Sequence, residues 1–367
     1  MGHAATGAVP VVDVVEFNAY APRPFVFTEV AMCLRDSLAA AGWTSRHRFN
    51  EVDPRAISIV IGALPPFAAL VSQLDPRRTL IANFEQLGSA SAIASSGYQR
   101  WLRDWVVVDY HSRNVEYLKR HHSAQRAFEI PIVPGSSVAF EAQAPAQPSV
   151  DVLFFGSLND RRTALLEQLR RAGLSVEVVA GAYGGELAPA VRRARVVLHI
   201  HFYDTALFPV ARVLQPVAAG VPIVCETPVF ADLSDWSESG IVFAPYESLV
   251  SACRRLLDSP GERQERAART RAFARTLDFA TPLRQALQCL LENPPPATPD
   301  PELDDGERLL TNEEIEAILL QEGGAPAEGG TAAVQLVMRE PGHGRFGRWI
   351  VWLVIVFSFW TIWRSFR

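Results

Sequence analysis

From residue 11 to about residue 292, short apolar runs alternate with helical patterns. VVDVVEF reads as a strand, and the helix after it runs from about Phe25 to Ala41 and stops at Gly42. AISIVIGA, RTLIANFE, DWVVVDY and FEIPIV follow as further strands. These runs are rich in β-branched residues and lack clean apolar/polar alternation, the pattern of parallel strands covered on both faces. EAQAPAQPS, residues 141–149, is a Pro/Ala/Gln linker, and a second series starts afresh beyond it. There VDVLFFG is a strand, DRRTALLEQLRRAG a helix closed by glycine, and LSVEVVAG a strand. Helix ELAPAVRRA, strand RVVLHIH, helix TALFPVARVLQPVAAG, strands VPIVCE and GIVFAP, and helices to about Asn293 complete it. Strands separated by helices of this length mean βαβ units. The expected fold class is therefore α/β, with two doubly wound Rossmann-like domains at residues 11–140 and 150–292. Ligand is expected in the crevice at the carboxyl ends of the strands.

The pattern changes after residue 292. Residues 293–345 are Pro/Gly-rich and acidic, a composition that predicts a flexible linker. One capped stretch interrupts it: Thr311 as N-cap with Glu314 as capping-box partner predicts a short helix over 311–321, with Ile315, Ile318 and Leu319 on one face. It either packs back on the body or docks a protein partner, and it resembles the segment with which flagellar motor switch proteins engage a response regulator. Residues 346–367 form a C-terminal membrane anchor in this reading. Trp349 to Trp363 carries no charge and has arginines on both sides. At ~1.5 Å per residue the run falls short of a ~30 Å hydrocarbon core, but interfacial tryptophans and snorkelling arginines make up part of the deficit. The expectation is a single-pass anchor in the inner (cytoplasmic) membrane, with the body in the cytoplasm.

Composition adds limits. A chain of 367 residues with 49% hydrophobic and 20% charged residues has ample core material for two domains. The net charge of -5 gives no support for nucleic-acid binding. Cys33, Cys225, Cys253 and Cys289 are scattered and read as small core residues rather than a disulfide framework. Lys119 is the only lysine, so any bound anion must be held by arginine, backbone amides or helix dipoles.

Candidate chemistry gathers at predicted strand ends. FFGSLNDRR places Gly156, Ser157 and Asn159 between a strand and a helix that opens with Arg161 and Arg162. Glycine lets a ligand approach the backbone, and the arginines suit phosphate oxygens. The alternative is an ordinary βα turn. His199 and His201 share a strand face, yet no third ligand is apparent, so no metal is expected. Tyr203, Asp204 and Thr205 follow at the carboxyl end of that strand, where Asp204-Thr205 would also cap the next helix. Arg212 and Gln215 lie a turn apart on it, and Gly220 stops it.

FGSLNDRR, YDTALFPVARVLQPVAAGVPIV and GIVFAP together resemble the donor-binding domain of GT-B glycosyltransferases of the retaining "glycosyl transferases group 1" type. VIGA, NFEQ and VVVDYHSRN resemble, less specifically, members of bacterial polysaccharide and lipopolysaccharide clusters. The resemblance covers about residues 11–292 and implies a metal-independent enzyme without a cofactor, taking a nucleotide-diphosphate sugar as donor substrate. It places Gly156, Ser157, Asn159, Arg161, Arg162, Tyr203, Thr205, Gln215 and Glu226 on the donor side. His111 and Asp204 become the catalytic candidates, His111 as an acceptor-side polar contact or base, and Glu85, Gln86, Asp109 and Asn114 face the acceptor. Two positions depart from the family: Gln215 stands where a glutamate grips the donor ribose, and the phosphate-gripping lysine is absent. No Asp-x-Asp pair occurs anywhere, which disfavours a metal-dependent GT-A enzyme. The implied function is transfer of a sugar to an envelope glycan or lipid-linked acceptor at the membrane. The alternatives are a non-catalytic GT-B-like scaffold, and a protein glycosyltransferase acting on a membrane or flagellar component.

Overall fold

The computed structural model describes residues 11–18, 21, 26–64, 67–88, 96–122, 124–134, 138, 148–202, 207–228, 236–296, 307–309 and 337–339. Six strands form the first sheet: β1 (Val11–Glu16), β2 (Thr44–Phe49), β3 (Ile57–Ile61), β4 (Thr79–Asn83), β5 (Val106–Asp109) and β6 (Ala127–Glu129). All pair in parallel, in the order β2-β1-β3-β4-β5-β6. Helices α1 (Val26–Ala40), α2 (Ala68–Val71), α3 (Ser96–Trp101) and α4 (Ser112–His122) connect them. The apolar runs become central strands because both faces are covered. Val12 and Val14 join one core with α1, while Val15 joins another with Leu102 and Leu118.

β2 was not legible as an apolar run. Its TSRHRF sequence is polar because β2 is an edge strand, and ion pairs fix it to its one neighbour. Arg46 and Arg48 each donate from Nε at 2.7 Å to the two oxygens of buried Asp13 on β1. His47, pointing to the other face, lies 3.2 Å from Glu16 Oε2.

The second sheet contains β7 (Val150–Phe155), β8 (Val176–Val179), β9 (Ala194–His199), β10 (Ile223–Glu226) and β11 (Val242–Ala244), in the parallel order β11-β10-β9-β7-β8. Read from β8, this is the same winding as the first sheet, and its switch point lies between β7 and β9. Helices α5 (Asp160–Arg171), α6 (Ala188–Arg193), α7 (Val210–Ala219), α8 (Leu249–Asp258) and α9 (Pro260–Ala274) surround it. The expected helix TALFPVARVLQPVAAG begins only at Val210, because Pro209 disfavours helical backbone at Phe208. It ends as expected at Gly220, whose φ of 69° only glycine adopts cheaply.

The last of the described helices, α10 (Ala280–Glu292), leaves the second sheet and packs on α1, β4, β5 and β6 of the first. Leu283, Ala286, Leu287 and Leu290 recur at helical spacing on its buried face and share a core with Val12, Ile59 and Leu80. At about 1.5–3 kcal/mol per buried leucine, this crossing helix is a substantial clasp between the halves. Cys33, Cys225 and Cys253 are buried and Cys289 half-buried, all as free thiols.

Beyond α10, residues Glu307–Leu309 and Val337–Arg339 pair as an antiparallel ribbon. The expected helix 311–321 and anchor 346–367 lie outside the described residues. Among the described residues, no helix is long and apolar enough to cross a membrane.

Candidate functional site

Of the expected donor-side residues, Gly156, Ser157, Asn159, Arg161, Arg162 and Glu226 gather at the carboxyl rim of the second sheet. Gly156 follows β7 with a φ of 126°. Its N–H is already bonded to the Val179 carbonyl at 2.9 Å, so it is the missing Cβ and not the amide that the turn offers. A Cβ there would collide with the Arg212 guanidinium, which lies over the turn and donates to the Phe155 carbonyl at 3.1 Å. Arg212 is thus the cation at the glycine turn, and burial lowers its pKa. The face of α7 that carries Gln215 also carries Arg212 one turn earlier, the sequence signal that marks it.

The two arginines of the next helix have different tasks. Arg162 is buried; its Nε and Nη2 donate to the Ile200 carbonyl at 3.0 and 2.6 Å, and its Nη1 to the Ser157 carbonyl at 2.6 Å. It therefore ties the glycine turn to the end of β9, and its guanidinium faces the protein rather than a phosphate. Asn159 caps α5 by accepting from the Arg162 N–H at 2.9 Å, and its amide reaches the Phe202 carbonyl at 2.9 Å. Arg161 pairs in a fork with Glu226, with Nη1 to Oε2 at 2.8 Å, and lies 4.0 Å over the Tyr246 ring. Glu226, at the end of β10, also accepts from the His201 N–H at 2.9 Å. The donor-side arginine thus has a carboxylate partner in place.

His199 closes β9, and His201 follows it by two residues. The rings of His199 and His201 are 5.3 Å apart, and burial lowers the pKa of both, that of His201 to about 4. His201 Nε2, however, is buried without a hydrogen-bond partner, so the pair is not fully satisfied. Among the described residues no group of His, Cys, Asp or Glu is arranged to hold a metal ion. Tyr203, Asp204 and Thr205 lie outside the described residues.

On the first domain, Glu85, Gln86, Asp109, His111 and Asn114 gather at the ends of β4 and β5. Buried Asp109 accepts from Asn83 Nδ2 at 2.6 Å, from the His111 N–H at 2.9 Å and from Asn114 Nδ2 at 3.1 Å. Asn83 and Asn114 both donate to the Glu85 carbonyl, and Asn114 Oδ1 accepts from Leu87 N–H. Asp109 and Asn114 thus act as a frame that fixes the 85–87 loop. Burial pushes the Glu85 and Asp109 carboxyls up to about 7. His111 caps α4 with its ring: Nδ1 accepts from the Arg113 N–H at 3.2 Å. With Nδ1 accepting, the hydrogen-bond donor of the ring is Nε2–H.

The two rims meet. Gln86 Oε1 accepts from the Leu207 N–H at 3.3 Å. Glu29 of α1 accepts from the Gly184 N–H at 2.8 Å and from Gln215 Nε2. Glu29, Phe155, Tyr183, Leu187, Ala211, Arg212 and Gln215 line one cleft. Nothing in the sequence around Glu29 pointed to it, because it lies in the other domain, far along the chain.

Two parallel doubly wound sheets meeting rim to rim, with a glycine turn at the switch point of the second, define an α/β architecture that resembles the GT-B fold. Residues 152–289 match the family model described as glycosyl transferase-like, the enzyme class that the sequence resemblance named. A stretch of 104 residues, 28% of the chain, is 31% identical to the uncharacterized protein L138 of Acanthamoeba polyphaga mimivirus. The matched stretch spans 12% and 14% of the length of the curated relatives L138 and L137. Among solved structures, an alpha-glucosyltransferase in complex with UDP and a DNA 13-mer is 8% identical, with a TM-score of 0.53 over 77% of this chain and 100% of that one. A trehalose-6-phosphate synthase is 13% identical, with a TM-score of 0.52 over 77% and 100% of the two chains. Both likenesses are of fold.

Proposed function

We propose that the chain is a glycosyltransferase that takes a nucleotide-diphosphate sugar in the cleft between its two sheets. The observation that carries this reading is the Arg212 guanidinium held over the Cβ-less turn at Gly156, at the switch point of the domain that matches the glycosyl transferase-like family. A cation over a bare turn is suited to a diphosphate leaving group, whose developing charge it stabilises. Arg161 joins it by exchanging Glu226 for a phosphate oxygen, and Tyr203, Asp204 and Thr205 orient the sugar. On the acceptor side Glu85 is the group with the proton affinity to take a hydroxyl proton near neutral pH, and His111 donates a hydrogen bond. The nucleotide-sugar is a substrate, and no cofactor or metal enters.

In this reading the uncharged Trp349–Trp363 run anchors the protein in the cytoplasmic membrane, its body in the cytoplasm, where an envelope glycan or lipid-linked acceptor is within reach. One observation favours a second reading, a non-catalytic scaffold: Arg161 and Gln215 both have protein partners where a donor would sit. Calorimetric titration of the full chain with UDP, GDP and ADP decides between them. Saturable binding that is lost in Arg212→Met supports the enzyme, and no binding of any nucleoside diphosphate refutes it.

A further inference from the structure

The buried polar contact at the centre of the domain junction leaves one atom unexplained. Glu29 is buried in the first turn of α1, and its Oε1 takes two N–H groups of the second domain, those of Gly184 and Gln215. The second N–H of the Gln215 amide reaches the Gly184 carbonyl at 3.0 Å. Gln215 Oε1 is buried and has no hydrogen-bond partner. An amide oxygen sealed from water without a donor is costly, and natural interiors rarely tolerate one. Its neighbour across the junction is a carboxyl group, which has a donor to offer only when it is protonated.

We propose that Glu29 is kept as the neutral acid and forms a cyclic acid–amide pair with Gln215, so that docking of the two domains carries one proton and sets the donor-side face of α7. The Glu29 carbonyl oxygen Oε1 accepts the two N–H groups, and Oε2–H donates to Gln215 Oε1, giving every polar atom of the pair a partner. When the domains part, Glu29 is exposed and ionises, releasing that proton to solvent; no other bond changes. Glu29 is thus a positioning residue: through Gln215 it fixes the helix face that also holds Arg212 over Gly156. This role rests on reading the cleft as the donor site.

The charges facing Glu29 come from four elements. Burial is the largest cause of the raised Glu29 carboxyl; the hydrogen bonds from Gln215 and Gly184 pull it down, and Glu16 at the end of β1, itself beside His47 of β2, raises it further. Arg212 of α7 opposes it as a cation, while also donating to the Phe155 carbonyl and interacting with Tyr183, which precedes the Gly184 turn. The sign follows directly. A carboxyl whose pKa is raised in the docked state favours docking fully below its ordinary value of 4.5, and that contribution is lost as pH rises through the raised value.

The test uses the full chain, Glu29→Gln, Gln215→Met and the exchanged double variant Glu29→Gln/Gln215→Glu. The infrared difference between wild type and Glu29→Gln below the raised pKa is expected to show a carboxylic-acid carbonyl band, absent from the variant. Small-angle scattering is expected to show the wild type expanding as pH rises. That pH response should be lost in Glu29→Gln and restored by the exchange, which rebuilds the pair with its polarity reversed. If Glu29→Gln fails to fold, Gln215→Met still reports, because the acid loses its amide partner and its band shifts. No acid band assignable to Glu29, or an unchanged pH response in Glu29→Gln, overturns the proposal. Neither measurement uses a nucleotide, so failure of UDP to bind the wild type would sink the donor-site reading separately.

Discussion

Arg161 and Arg162 are adjacent, identical in type and equally attractive as phosphate ligands, yet the structure gives them opposite tasks, and replacing Arg162 tests that division. Arg162→Met keeps the length and apolar bulk of the stem and removes three hydrogen bonds: two to the Ile200 carbonyl and one to the Ser157 carbonyl. Bonds from a charged donor contribute about 1.5–3 kcal/mol each, and the buried Ile200 carbonyl loses both of these donors. Against this, removing the guanidinium relieves the desolvation of a buried charge, so the bonds do not sum in full. A net loss of about 3 kcal/mol follows, together with weaker contacts between the guanidinium and the Phe154 and Phe202 rings at 5.3 and 5.0 Å. In a domain of this size that lowers Tm by roughly 6–12 °C. The assay is thermal and urea unfolding of the full-length variant beside Arg161→Met, with UDP calorimetry on both below their transitions. Arg162→Met should unfold early and, while folded, keep most of its nucleotide affinity. A variant of wild-type stability that has lost UDP binding would refute the division, because Arg162 would then be serving the ligand.

Gly156→Ala should lose about 1–3 kcal/mol of stability and most nucleotide affinity, since the φ of 126° strains any side chain and a Cβ would push the Arg212 guanidinium off the turn; urea unfolding and calorimetry check it. Glu226→Gln removes the charge partner of Arg161. It should lower stability by about 1–2 kcal/mol and tighten nucleoside diphosphate binding by freeing Arg161, both measurable on the same samples. Glu85, with its pKa raised to about 7, contributes stability that is full below about pH 4.5 and lost as pH rises to about 7. Glu85→Gln should therefore flatten that part of the stability–pH curve, and an unchanged curve would rule out burial as the cause. Asn114→Ala deprives the Leu87 N–H, the Glu85 carbonyl and Asp109 of a partner. A loss of about 2–4 kcal/mol should appear in chemical unfolding.

Much of the architecture was written in local pattern. Apolar runs announced ten of the eleven strands in the two sheets, because a strand buried on both faces has few polar positions to alternate with. β2 escaped because an edge strand held by Arg46, His47 and Arg48 is polar, and its partners Asp13 and Glu16 lie on another strand. Gly220 ended its helix where the sequence placed the stop, whereas Pro209 delayed the start of the same helix by restricting the residue before it. Gly156, Glu226 and Asp109 were all found at the ends of the strands that carry them. Their division of labour was not visible, since whether an arginine faces a ligand or a carbonyl depends on what packs beside it.

The sequence alone determined the class of fold, the order of its apolar strands, and which polar residues stand at their ends, because periodicity and turn chemistry act over a few neighbouring residues. Tertiary structure alone decided that Arg162 is spent on backbone, that Arg161 is paired with Glu226, that Arg212 overlies Gly156, and that α10 returns to the first sheet. It also decided where Gln215 finds its carboxyl partner: 186 positions away, at Glu29 in the other domain. Burial and pairing across such separations are set by how the two sheets dock, and no local pattern along the chain records that.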